Sequence, residues 1–72
     1  MSIEKNIEVL ERIKNDGNIV FIKFDGERAD NQVTVVIDFP SSSDNKTIRL
    51  DGDDLNTLLE RVINTYQSKY GL

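Results

Sequence analysis

Carboxylates are the side chains with the widest chemical scope in this 72-residue chain, and they gather twice. Asp25, Glu27 and Asp30 fall within six residues, and Asp51, Asp53 and Asp54 within four. Carboxylate groups of this kind can exchange protons or hold Mg²⁺ or Ca²⁺. The second group, Asp51-Gly52-Asp53-Asp54, comes nearest to a metal loop, but it lacks the twelve-residue span and closing glutamate of an EF-hand. It lies where a helix begins, and capping together with the helix dipole accounts for its charge. The chain has no His, Cys or Trp, so the commonest general base and the thiol nucleophile are both missing. Its serines near Pro40 have no base to activate them. The four glycines, Gly17, Gly26, Gly52 and Gly71, are isolated turn or cap positions and form no phosphate-binding loop. The expectation is a chain without catalytic residues, cofactor or metal.

The elements that position these residues follow from periodicity. Ile3, Ile7, Leu10, Ile13 and Lys14 recur at spacings of three and four, which predicts a helix over residues 3–15. Ser2 is suited to cap it, Glu4 to its first turn and Gly17 to its C-terminal stop. Asn18–Phe24 is rich in β-branched and aromatic residues and reads as a strand, and Asp25–Asn31 reads as a polar turn. Over 32–39, Val33, Val35, Ile37 and Phe39 alternate with Gln32, Thr34, Val36 and Asp38, the pattern of a second strand. Pro40 ends it, and Ser41–Asn45 suits a surface loop. Lys46–Leu50 predicts a third strand with Ile48 and Leu50 inward. Residues 53–69 carry the strongest helical stripe: Leu55, Leu58, Leu59, Val62, Ile63 and Tyr66, with Tyr70 continuing it. The order α-β-β-β-α with short connections predicts an α+β fold. It is a two-layer sandwich in which both helices cover one face of a three-stranded antiparallel meander.

Composition supports a single small domain over 1–72. Leu, Ile, Val and Phe number 23 of 72, too many for a disordered chain. No apolar run approaches the roughly 20 residues of a membrane span, and the first residues lack the layout of a secretory signal. The absence of Cys suits a reducing compartment, so a cytoplasmic location is expected. Without disulfide or metal, so small a core rarely supplies more than about 3–5 kcal/mol.

Charge narrows the partners. Thirteen acidic and nine basic residues give a net charge of −4, and the basic ones are scattered along the sequence. Free nucleic acid and anionic membrane are poor ligands for such a surface; a protein with a basic surface is a better one. The sheet offers a second feature. If Val20, Ile22 and Phe24 join Val33, Val35 and Ile37 in the core, Ile19, Phe21 and Val36 form an apolar strip on the open face. Phe21 then stands opposite Val36, and Asp38 near Arg49. A self-complementary strip of this kind suits a homodimer.

The α-β-β-β-α order resembles that of double-stranded RNA-binding domains. Their last helix begins with a basic cluster that grips phosphates. Asp51, Asp53 and Asp54 invert the charge at the matching place, so the resemblance implies topology without nucleic-acid binding. Short length, the helix Ile3–Asn15, the meander 18–50 and the acidic loops also resemble the small acidic anti-CRISPR proteins of phages, which block an RNA-guided nuclease. That resemblance implies a non-enzymatic inhibitor of a nucleic-acid-handling enzyme. Asp25, Glu27, Asp30, Asp51, Asp53 and Asp54 would occupy a basic site meant for DNA. The other readings are a homodimeric or accessory subunit using Ile19, Phe21 and Val36, and an antitoxin or immunity protein for a basic toxin.

Overall fold

The structure, a computed structural model, describes residues 2–40 and 47–70. Helix α1 (Ile3–Asn15) is followed by strands β1 (Ile19–Phe24), β2 (Val33–Asp38) and β3 (Thr47–Gly52), then helix α2 (Leu55–Tyr70). The strands form one antiparallel sheet in the order β1-β2-β3, with β2 in the middle. Helix α2 packs on β3 and β2, and α1 packs beside α2 and on β1. The fold is the expected α+β sandwich, with a layer of helices on a sheet of three strands.

Local chemistry explains the ends of the elements. Ser2 caps α1 by accepting from the Lys5 amide at 3.3 Å. Gly17 closes the helix at φ +92°, a left-handed conformation that glycine adopts without a Cβ clash. Its amide donates to the Lys14 carbonyl at 2.9 Å. Asp54 caps α2, accepting from the Thr57 amide at 2.9 Å and its hydroxyl at 2.8 Å.

The core joins Leu10 and Ile13 of α1, Val33, Val35 and Ile37 of β2, Ile48 of β3, and Leu58, Leu59, Val62, Ile63 and Tyr66 of α2. Phe39 completes it by stacking on Tyr66, with ring centroids 5.8 Å apart and planes 13° from parallel. Gly52 lets α2 approach β3 closely, since a Cβ there would lie 3.3 Å from Leu58 Cδ1.

Several expectations are corrected. The strand expected over 46–50 runs on through Asp51 and Gly52, because both pair with β2 opposite Thr34 and Val33. Asp51 and Gly52 are therefore strand residues rather than the start of the last helix. Phe24 lies on the helix-bearing side of β1 by alternation but is 70% exposed, not core. The helix α1 that covers β1 reaches only part of the strand's length. Ile3 is 43% exposed, whereas Asn6, on the stripe of Leu10 and Ile13, is fully buried. Asn6 Nδ2 donates to Asn56 Oδ1 of α2 at 2.6 Å. Asp38 stands opposite Thr47, whose hydroxyl donates to it at 3.0 Å, with Arg49 diagonal to it on the same face as expected and also 3.6 Å from Asp51. The expected loop 41–45, residue Lys46, the side chain of Tyr70 and Gly71 lie outside the described residues.

Candidate functional site

The acidic residues of the two sequence clusters meet at one end of the sheet. The β1–β2 loop is closed at its base by the Asp25 amide donating to the Gln32 carbonyl at 2.7 Å. Asp25 accepts from the Glu27 amide at 3.1 Å, a short turn made by an aspartate side chain. Asn31 holds the left-handed φ of 50° that the loop's return requires, a conformation asparagine tolerates better than most residues. The loop folds over the open face of β2 and is fastened to the end of β3.

Arg28 is the fastener. Its Nε lies 3.1 Å from Asp25, and its Nη1 donates to Asp51 at 3.0 Å, to Thr34 Oγ1 at 3.2 Å and to the Asn31 carbonyl at 3.1 Å. The Thr34 hydroxyl donates to the same Asp51 carboxylate. The Asn31 amide donates to Asp53 at 2.7 Å. Lys23 adds a contact of 3.5 Å to Asp25. The basic residues are scattered in sequence, yet Lys23, Arg28 and Arg49 converge here because β1, its loop and β3 flank the same stretch of β2.

These contacts set the electrostatics. The Thr34 hydroxyl, followed by the Arg28 guanidinium, holds the Asp51 carboxyl below the usual aspartate range. The Glu27 amide does the same for Asp25, helped by Lys23 and Arg28. The Thr57 amide does so for Asp54. Of the six acids singled out from sequence, Asp25, Asp51, Asp53 and Asp54 are engaged with partners inside the molecule. Glu27 and Asp30 are exposed at the loop surface. Three cations among six acids leave this end net negative. Among the described residues no group of three or more metal-ligating side chains is arranged to hold an ion, since Asp51, Asp53 and Asp54 turn to separate partners.

The apolar strip is also brought together, with one change. Phe21 does stand opposite Val36. Ile19 and Phe21 are 51% and 49% exposed, but Val36 is only 8% exposed and is not available for contact. It lies on the middle strand, with Phe21 on one side and Arg49 on the other, and the flanking side chains cover it. Thr34 is buried in the same way, beneath Arg28. Among the described residues, three of the four exposed large apolar side chains are therefore carried by the outer strand β1: Ile19 and Phe21 on the open face, and Phe24 on the other. Beside it a groove of about 280 Å³ runs between α1 and β1, lined by Ile7, Leu10, Glu11, Lys14, Val20, Phe21 and Ile22.

No protein-family model, curated protein or solved structure matches this chain. Sequence reasoning missed Arg28 as the hub and Phe24 as a surface residue. Arg28 left no local signal, because its partners lie up to 23 residues away. Phe24 did leave one: it is the last residue of its strand, directly before the Asp25-Gly26 turn, where a covering layer tends to end.

Proposed function

We propose that this chain is a non-enzymatic protein-binding module that works in the cytoplasm. Its contact surface is the β1 flank, and its partner is a protein with a basic surface. The observation that carries the reading is the exposure of three large apolar side chains, Ile19, Phe21 and Phe24, on a single outer strand beside a net-negative end. Apolar contact supplies the affinity and the acidic end steers the approach. The partner class that combines a basic surface with a need for control is a nucleic-acid-handling enzyme, and the chain then acts as its inhibitor. This is the form that the resemblance to small acidic anti-CRISPR proteins takes.

The test is affinity capture from nuclease-treated lysate at low and moderate salt, comparing three chains. Phe21→Ser removes apolar contact at a half-exposed position. The pair Glu27→Ser and Asp30→Ser removes charge without touching the Arg28 contacts. A basic partner should be lost with Phe21→Ser at both salt levels and weakened by the acidic pair chiefly at low salt. Capture by Phe21→Ser equal to that of the parent chain would exclude the β1 flank.

A further inference from the structure

The β1–β2 loop holds its place without apolar contact. Of residues 26–31 only Arg28 is part-buried, and the one apolar side chain, Ala29, is exposed. Bonds at the base close the loop on itself: the Asp25 amide donates to the Gln32 carbonyl, and Gln32 Nε2 donates to the Arg28 carbonyl at 2.6 Å. Beyond that base, and among the described residues, the loop reaches the rest of the molecule at two points. One is the Asn31 amide, which donates to Asp53. The other is Arg28, whose Nη1 bridges Thr34 of β2 and Asp51 of β3 while its Nε lies on Asp25. A single guanidinium thus joins the loop to two strands.

Three features make this join a latch rather than a brace. Arg28 and Asp51 are both part-exposed, and ion pairs of that kind contribute modestly and are screened by salt. The Thr34 hydroxyl donates to Asp51, so buried Thr34 keeps a partner when Arg28 leaves, and no buried polar group is orphaned. Asn31 holds a φ of 50°, a left-handed conformation whose cost to a residue with a Cβ is recovered when the loop opens. The strands below are fixed independently, by the ladder from Ile19–Asp38 to Phe24–Val33 and by the apolar core. A segment that buries no apolar side chain, on a scaffold that does, is where local opening costs least.

We infer that residues 26–31 form a strap latched by Arg28, which opens as a unit while the two-layer sandwich stays folded. Shut, the strap holds a cation on Asp25 and Asp51, over Thr34. Open, it withdraws that cation from Asp51 and uncovers the end of the open sheet face. What the latch regulates rests on the reading that the acidic end steers a basic partner: it sets the field that the partner meets. The opening itself needs no partner and is tested on the chain alone.

Backbone NMR on the full chain reads it, through nitrogen relaxation and amide exchange at Asn31. In the parent at low salt, residues 26–31 should be nearly as ordered as the strands, with order parameters of about 0.8. Arg28→Gln should lower them below about 0.6 and speed exchange at Asn31 roughly tenfold or more, while β1 and β2 hold their values. Arg28→Lys keeps the charge but not the planar fork that reaches Asp25 and Asp51 together, and should fall between the two. Raising salt toward about 1 M should speed Asn31 exchange in the parent roughly twofold and leave Arg28→Gln unmoved. Equal loop order in parent and Arg28→Gln overturns the inference. So does loosening that spreads into Phe24 and Val33, because Arg28 would then be bracing the sheet. If the loop opens as expected but Glu27→Ser with Asp30→Ser leaves capture of a basic partner unchanged at low salt, the latch stands and only the steering reading falls.

Discussion

At the scale of single residues, the molecule uses its acids for internal fastening. Asp51 and Asp25 share Arg28, Asp53 takes the Asn31 amide, and Asp54 caps α2. Only the last role was legible in the sequence, where Asp54 directly precedes an apolar helical stripe. The roles of Asp51 and Asp53 depend on the register of β3 against β2, which no local pattern reveals. A pH dependence follows. The folded-state carboxyls of Asp25, Asp51 and Asp54 are depressed by the hydrogen bonds they accept, so the native state takes up protons less readily than the unfolded chain. The stability they contribute is complete above the ordinary aspartate range, near pH 4, and is lost as the pH falls below it. Urea midpoints measured from neutral pH to about pH 2 should drop through this range, and Asp51→Asn should make the drop shallower. An unchanged acid slope in Asp51→Asn would show that its contacts with Thr34 and Arg28 have no energetic weight.

At the scale of elements, periodicity and caps were the reliable signals. Helix α1 runs from Ile3 to Asn15 as its stripe and its Ser2 and Gly17 ends predict. The three strands and their meander followed from alternation and short connections. What could not be read was how far each element is covered by its neighbours. Phe24 obeys the alternation of β1, yet the helix layer does not extend over it. Val36 alternates onto the open face, yet it is buried because its strand is the middle one. Ile3 is left exposed at the start of α1, while Asn6 is buried with its Nδ2 donating to Asn56 of the facing helix. The element boundary at Gly17 gives a direct test. Gly17→Ala meets open space but must hold φ near +92°, so it should destabilise the fold by about 1 kcal/mol without altering its contacts. Chemical denaturation would measure this, and a neutral or stabilising result would show that the helix ends in another way.

At the scale of the whole molecule, one core supports both layers. Leu59 and Val62 of α2 are fully buried in it, on the helix that packs against both α1 and the sheet. Leu59→Ala should cost about 2–5 kcal/mol, which is comparable with the entire stability expected of so small a domain. Loss of cooperative thermal unfolding is the expected outcome; a variant that melts near the parent would mean that the core closes over the gap. The part-buried Asn6–Asn56 contact joins positions 50 residues apart, and it ties the first helix to the last. That has a consequence for how the chain is made. As synthesis proceeds from the N-terminus, α1 emerges first and the sheet can assemble next, but the helix that completes the core is translated after both. Until α2 is in place, α1 and the sheet lack the side chains that would join them, because Leu58, Leu59, Val62, Ile63 and Tyr66 all come from that last helix.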